Sequence, residues 1–131
     1  LLEQEALESF LPLCEARGIG IVTGGPYNSG ILATGAVPGA FYNYDPAPAH
    51  IMEKVAKIEV ICAQFNVPLI AAAIQFPLLH STHMAVIPGG QSAEQTRSNI
   101  AALQCDIPSE LWTNLKSAGL MHPDAPTGPP R

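Results

Sequence analysis

The sequence has little charge for its length. Only 13% of its 131 residues are Asp, Glu, Lys or Arg, against about 25% in a typical globular chain. Its six Lys and Arg form no cluster, and the formal net charge is −5. Because nucleic-acid binding depends on a stripe of Lys and Arg, nucleic acid is not an expected partner. The low charge also predicts elements that are buried on more than one face, or a piece of something larger.

Long hydrophobic runs are lacking as well. The longest covers residues 67–79 and contains two prolines and a glutamine, whereas a membrane span needs roughly 20 residues. The first ten residues, LLEQEALESF, have neither the basic start nor the cleavage site of a signal peptide. The cysteines are few and widely spaced, at Cys14, Cys62 and Cys105, which is typical of reduced thiols. We therefore expect a cytoplasmic protein with no membrane partner.

The sequence does contain a succession of helical and strand patterns, within the length of one domain. Helices are predicted over residues 4–17, 50–66, 68–80, 92–103 and 108–118, and short apolar strands over 19–23 and 84–88. Pro12 is awkward inside the first helix, unless Ser9 caps a second helix that starts there. Residues 24–48 form a long loop, which is expected to be functional or disordered. Its apolar content favours an ordered, functional loop.

The order of these elements predicts an α/β fold. Two buried strands separated by helices are typical of βα units in a parallel sheet. Two strands alone cannot form a stable parallel sheet, since such a sheet needs both faces and both edges covered. This predicts that further strands lie upstream in a longer protein. The tail, HPDAPTGPPR, has the composition of a disordered end.

Two glycine-rich turns follow the two predicted strands. The first is GGPYNSG, residues 24–30, where small side chains let backbone N–H groups approach an anion. The second contains Gly89 and Gly90, after which Ser92 is placed to cap a helix and Gln95 to complete a capping box. A helix N-terminus also favours an anion. Either turn alone could be purely structural, but the pair favours a ligand site like that on the last two strands of (β/α)₈ barrels.

Three motifs in order carry a resemblance to a known family. They are IGIVTGGPYNSGILATG, ICAQFNVPLIAAAIQFPLLH and AVIPGGQSAEQTRSNIAAL, and they are similar to the C-terminal part of aldo-keto reductases, in the branch of bacterial sugar dehydrogenases. The resemblance implies the C-terminal portion of a (β/α)₈ TIM barrel, from helix 6 to helix 8 plus a C-terminal helix. It covers residues 1–120 and leaves residues 121–131 as the expected disordered tail.

The resemblance also implies a function and a cofactor site. Such enzymes are NAD(P)-dependent oxidoreductases, here acting on an aldose or another small carbonyl or hemiacetal substrate. Residues 25–32 would cradle the pyrophosphate of the cofactor through backbone groups, and the second turn would hold the adenosine end, with Asn99 on the adenine. The implied cofactor-binding residues are Gly25, Tyr27, Asn28, Ser29, Gly30, Leu32, Ile87, Gly89, Gly90, Gln91, Ser92, Gln95 and Asn99.

The sequence departs from the family pattern in three ways. Gly24 stands where many relatives carry a Tyr that stacks on the nicotinamide. Gly89 and Gln95 stand where members that prefer NADP carry Lys and Arg; a phosphate favours charge-assisted donors, so NAD is slightly preferred to NADP. The catalytic Asp, Tyr, Lys and His of the family belong to its N-terminal half, and no residue here takes their roles. This segment alone is therefore expected to be inactive, with the missing N-terminal half of the barrel as its partner.

Other chemically reactive residues have simpler interpretations. His80 and His83 have no Cys, Asp or Glu nearby in the sequence to complete a ligand set, so no metal site is predicted. The three cysteines are interpreted as inert core thiols. Phe41, Tyr42 and Tyr44 either line a substrate mouth or anchor the long loop. For the whole chain, the alternatives are a non-catalytic module that dimerises or binds a nucleotide, and a truncated product with no function of its own.

Overall fold

The computed structural model describes residues 1–128. Its helices are α1 (Phe10–Ala16), α2 (Ile31–Thr34), α3 (Ala49–Gln64), α4 (Leu69–Gln75), α5 (Ala93–Leu103) and α6 (Ser109–Ser117). Its strands are β1 (Ile21–Gly24), β2 (Phe41–Tyr42), β3 (Asp45–Pro46) and β4 (His83–Ile87). Short 3₁₀ helices cover Glu5–Leu7 and Phe76–Leu79. The fold is a small α/β unit, as the sequence predicted.

The two apolar strands pair in parallel. Val22 lies opposite Ala85, and Gly24 lies opposite Ile87 at the carboxyl end of the pair. Each strand is displaced by one or two residues from its predicted bounds. Because the carboxyl ends of parallel strands lie at the same edge of a sheet, the two glycine-rich turns emerge side by side.

The expectation that both strands are buried is wrong for this sheet. The exposed fraction is 56% for the side chain of Val22, 73% for that of Met84 and 62% for that of Ile87. Within residues 1–128 the sheet contains only β1 and β4, so each strand leaves one edge without a partner. Apolar side chains that a larger sheet would cover therefore face outward.

Prolines determine where two predicted helices break. The first helix divides at Ser9, and α1 begins at Phe10, which places Pro12 in the first turn, where its missing N–H is tolerated. Ser9 makes no side-chain cap hydrogen bond, so only the boundary of the predicted cap is confirmed. The segment predicted as one helix over 68–80 ends its α-helical part at Gln75 and continues as a 3₁₀ turn that contains Pro77.

The core lies between the long helices and the inner face of α2. The helix predicted over residues 50–66 is observed as α3, and its apolar side chains at helical spacing face the core, because Val55, Ile58 and Cys62 are almost completely buried. The α4 alanines and the α6 side chain of Trp112 are buried with it. In residues 1–128, no single helix has the length and hydropathy to span a membrane; α3 together with the segment Leu69–Leu79 does, but the two are bent by 101°.

The C-terminal segment is more closely packed than its composition predicts. Met121 and Ala125 are buried, at 5% and 1% exposure. The backbone N–H of His122 donates a hydrogen bond of 2.7 Å to Oε1 of Gln4. Residues 121–128 therefore pack on the N-terminal segment, whereas a disordered tail was expected; residues 129–131 lie outside the described part of the chain.

Candidate functional site

Most of the predicted site residues line one groove. The groove has a volume of about 600 Å³ and lies between the loop that follows β1 and the start of α5. The predicted residues in its wall are Gly25, Tyr27, Asn28, Ser29, Gly30, Gly89, Gly90, Gln91, Gln95 and Asn99. Parallel pairing of β1 with β4 brings these two segments together, although they are far apart in the sequence.

Three predicted residues lie outside the wall of this groove. Leu32 is 1% exposed in the core and borders a second cavity of about 290 Å³. Ile87 is at the end of β4, with an exposed side chain. Ser92 is the N-cap of α5. The apolar side chain of Leu32 serves packing, because helix α2 directs it inward.

The start of α5 forms the predicted capping interaction with a shift of one residue. Oγ of Ser92 accepts a hydrogen bond of 3.1 Å from the backbone N–H of Gln95. Oε1 of Gln95 in turn accepts a bond of 2.7 Å from the N–H of Gln91, one residue before the N-cap itself. The N–H of Gln95 is thus satisfied by the cap, whereas the N–H groups of Ala93 and Glu94, also in the first turn, have no acceptor within the helix and favour an anion near the helix start.

A buried amide joins the two sides of the groove. Oδ1 of Asn99 accepts a hydrogen bond of 2.7 Å from the hydroxyl of Tyr27, and its Nδ2 donates a bond of 3.0 Å to the carbonyl of Gly89. The Asn99 side chain is almost inaccessible to solvent. Burial raises the pKa of Tyr27, which keeps its hydroxyl protonated as a donor. After these two bonds the amide retains one N–H and one lone pair for a ligand.

The side chains of Asn28 and Ser29 hold a hairpin beside the groove. Oδ1 of Asn28 accepts a bond of 3.0 Å from the N–H of Asn43, and Oγ of Ser29 accepts a bond of 2.8 Å from the N–H of Tyr44. Asn43 and Tyr44 form the turn of this hairpin, between strands β2 and β3. Two of the predicted ligand residues therefore use their side chains within the protein and leave their backbone groups for binding.

The aromatic residues of the long loop have different roles. The hydroxyl of Tyr42 donates a bond of 2.9 Å to Oε1 of Glu3, which anchors the loop. Bonds from Asn43 and Tyr42 lower the pKa of the Glu3 carboxyl. Phe41 is half exposed away from the groove, whereas Tyr44 lines it. The structure thus places one aromatic residue as an anchor and another at the candidate site.

Several lining residues were not predicted. They are Ala33, Thr34, Tyr44, Ile70 and Ser98. Ser98 is next to the predicted Asn99, and Thr34 lies one helical turn after Gly30, so helical spacing around the predicted residues could have indicated both. Tyr44 belongs to the aromatic cluster that the sequence assigned either to a substrate mouth or to anchoring the loop, whereas Ile70 reaches the groove through the folding of a separate segment, for which the sequence contains no local signal.

The histidine and cysteine residues form no comparable site. Nδ1 of His80 lies 2.9 Å from Oγ1 of Thr82, and its ring meets that of His83 edge-on with centroids 6.0 Å apart. In residues 1–128 no group of three or more His, Cys, Asp or Glu side chains could hold a metal ion. Burial raises the pKa of Cys62 to about 11, so this thiol is protonated and inert, as expected of a core residue. Cys105 is partly exposed.

The chain is similar to known oxidoreductases along most of its length. The pattern of the aldo/keto reductase family matches residues 1–119. A pyridoxal 4-dehydrogenase of Microbacterium luteolum is 41% identical over 121 residues, which are 92% of this chain and 35% of that enzyme. A D-threo-aldose 1-dehydrogenase of a Pseudomonas species is 37% identical over 122 residues, 92% of this chain and 37% of that enzyme. The chain therefore spans about a third of the length of these curated relatives.

Proposed function

Because this chain belongs to the aldo/keto reductase family, we propose that it is the C-terminal part of a (β/α)₈ barrel oxidoreductase. In this proposal β1 and β4 are strands 7 and 8, and the segment runs from helix 6 to helix 8 plus a C-terminal helix. Its task is to bind the NAD(P) cofactor of the complete enzyme. The observation that carries the proposal is the convergence of the two glycine-rich turns on one groove.

The missing N-terminal half of the barrel is the proposed partner of this segment. The parallel pair β1–β4 leaves its outer edges free within residues 1–128, and Val22 and Met84 expose apolar surface. All-parallel sheets are almost always covered on both faces. Additional strands from the rest of the barrel would satisfy the edge groups and cover these side chains.

The groove suits a dinucleotide in size and in its donors. Its volume of about 600 Å³ lies within the roughly 300–1,000 Å³ of small-molecule sites. The lining residues that the described part of the chain contributes are uncharged, so the pyrophosphate charge would be met by backbone N–H groups and the start of α5. The sides of Gly25 and Gly30 on which a Cβ would stand are open, which permits close approach of a ligand to the backbone.

We assign the predicted residues to two parts of the bound cofactor. Residues 25–32 face the pyrophosphate through their backbone, Leu32 by its backbone alone. Ile87 and residues 89–95, including Ser92, line the path to the adenosine end. Asn99, which keeps one N–H and one lone pair free, takes the adenine; an Asn amide matches the paired donor and acceptor on an adenine edge.

NAD is the proposed cofactor in preference to NADP. A 2′-phosphate requires charge-assisted donors, and among residues 1–128 no Lys or Arg lines the groove. Gln95, at the position expected to contact that phosphate, is neutral and already bonded to the N–H of Gln91. The described residues of the groove therefore offer no positive side chain to neutralise the additional phosphate of NADP.

The proposed substrate is an aldose or another small carbonyl or hemiacetal compound. One relative is named for a D-threo-aldose and another for pyridoxal, so both classes belong in the assay. The nicotinamide of a bound dinucleotide supplies the hydride-accepting group. We assign no catalytic residue to this chain, and propose that proton transfer belongs to the other half of the barrel.

Cofactor binding by the complete protein tests this proposal. Isothermal titration with NAD and NADP should give saturable binding, and oxidation of a panel of aldoses and pyridoxal should reduce the bound cofactor. Asn99→Ala should weaken binding, whereas the control Asn114→Ala, on the exposed side of α6, should not. Absence of binding to both dinucleotides would contradict the proposal.

A second candidate function is a non-catalytic module that dimerises through the exposed sheet or binds a nucleotide. The exposed apolar side chains of β1 and β4 favour it, since such patches tend to be covered by a partner. Sedimentation equilibrium of the native protein separates the two: a dimer of about twice 13.8 kDa without dehydrogenase activity would support the module. Under both candidate functions we place the protein in the cytoplasm, where its three free thiols are stable. We propose neither a nucleic acid nor a membrane as its partner.

A further inference from the structure

Tyr44 stands at a turn position that disfavours it. Strands β2 and β3 are joined by a two-residue turn, in which Asn43 has φ of 49° and Tyr44 has φ of 67°. Turns with positive φ at both central residues favour Asn-Gly, because glycine has no Cβ to strain. Tyrosine occupies the glycine position here, and a large side chain in that conformation costs stability.

Packing of the ring against residues 1–128 offsets little of this cost. The side chain of Tyr44 is 91% exposed, so it contributes almost nothing to the core. Its neighbour Tyr42 is bonded to Glu3 and anchors the same hairpin, whereas the side chain of Tyr44 makes no hydrogen bond within residues 1–128. Residues held in strained backbone conformations cluster at active sites and ligand-binding sites.

The turn is held firmly beside the groove. Asn28 and Ser29 each accept a hydrogen bond from the turn, at the N–H of Asn43 and of Tyr44 respectively. Tyr44 also lines the groove that contains Gly90 and Asn99. The backbone that carries the Tyr44 ring is thus positioned by the loop after β1, whose residues 25–32 we assign to the pyrophosphate.

We infer that Tyr44 is a binding residue whose ring covers the dinucleotide bound in the groove. The inference rests on the proposed function and adds to it a residue outside the predicted set. An aromatic face contributes contact area at a low cost in side-chain entropy and stacks on flat rings. Covering the ligand would slow its release and exclude water from the uncharged donors beneath it.

Titration of the complete protein with NAD, alongside thermal unfolding without ligand, tests the inference. Tyr44→Gly should weaken NAD binding about three- to tenfold, the effect of one aromatic contact. The same substitution should leave the unfolding temperature unchanged or raise it, because glycine suits the turn. If Tyr44 had a merely structural role, the substitution would lower both the affinity for NAD and the unfolding temperature. Tyr44→Phe, which keeps the ring, should bind NAD within about twofold of the unaltered protein.

Chemical modification gives an independent readout. Nitration with tetranitromethane, followed by mass spectrometry, should modify Tyr44 readily and much less in saturating NAD, with Tyr42 as the internal reference. If the unaltered protein binds NAD but Tyr44→Gly binds it equally and nitration is unprotected, the inference is wrong while the proposed function stands. If the unaltered protein binds neither NAD nor NADP, both fail.

Discussion

The hydroxyl of Tyr27 lies 2.7 Å from Oδ1 of Asn99, and the two residues are separated by 72 positions in the sequence. One belongs to the loop after β1 and the other to α5. Both residues line the groove, and their bond fixes the position of the amide that we assign to the adenine. The second bond of Asn99, to the carbonyl of Gly89, orients the same amide from the other side.

Replacing Tyr27 by Phe removes only the hydroxyl of this pair. We expect the free energy of unfolding to fall by about 0.5–1.5 kcal/mol, the usual net value of one hydrogen bond, and NAD affinity to fall because Asn99 can turn. Urea unfolding and titration with NAD measure the two effects. Thr113→Val, which removes an exposed hydroxyl bond on α6, is the control and should leave affinity unchanged. Unaltered affinity in Tyr27→Phe would show that the bond does not position the amide for binding.

Gln95→Arg should shift cofactor preference towards NADP. An arginine at the start of α5 would provide the charge-assisted donor that the groove lacks. We expect the ratio of NAD to NADP dissociation constants to rise about tenfold or more in the complete protein, in line with the roughly 1.5–3 kcal/mol of a charged hydrogen bond. Gln104→Arg, which makes the same change of charge at the opposite end of α5, should leave the ratio unchanged. An equal ratio in both variants would remove Gln95 from the proposed site.

Gln75→Leu should destabilise the packing of α4 against α5. Nε2 of Gln75 donates bonds to the carbonyls of Ala102, at 2.9 Å, and of Cys105, at 2.7 Å, at the C-terminal end of α5. Loss of both donors costs about 1–3 kcal/mol if the carbonyls stay partly buried, measured by urea unfolding. Gln64→Leu, at an exposed position, serves as the reference. A loss no larger than that of the reference would mean that water replaces the donor.

Stability should depend on pH through His83. Burial and the neighbouring His80 lower the pKa of His83 below 6.5, and its Nδ1 is buried without a hydrogen-bond partner in residues 1–128. The unfolded chain therefore binds a proton more readily than the folded one, so the contribution is complete above pH 6.5 and is lost as the pH falls through the lower, folded pKa. Urea unfolding in a series of buffers between pH 5 and 8, spaced about one pH unit apart, should show this decline in the free energy of unfolding. It should be weaker in His83→Asn; an identical decline in that variant would assign the effect to other groups.

Much of the fold was predictable because local patterns coincide with tertiary burial. The spacing of Ile51, Val55 and Ile58 predicts α3, and the same side chains are buried. Ser92 predicts the start of α5, and its Oγ makes the cap bond. The glycine-rich turns predict the two sides of the groove, because parallel strands bring their ends together.

The sequence by itself determined the alternation of the longer helices with β1 and β4, the two glycine-rich turns and the family, since periodicity, caps and motifs are local properties of the chain. It did not determine α2 or the hairpin of β2 and β3, which lie in residues predicted as a loop. Tertiary structure alone decided which polar groups meet. The bonds from Tyr27 to Asn99 and from Asn43 to Asn28 join segments that no local pattern relates. The same is true of Tyr44, whose turn is held beside the groove by hydrogen bonds to Asn28 and Ser29. Hydrogen bonds and strain depend on three-dimensional proximity, which a linear pattern of residues does not specify.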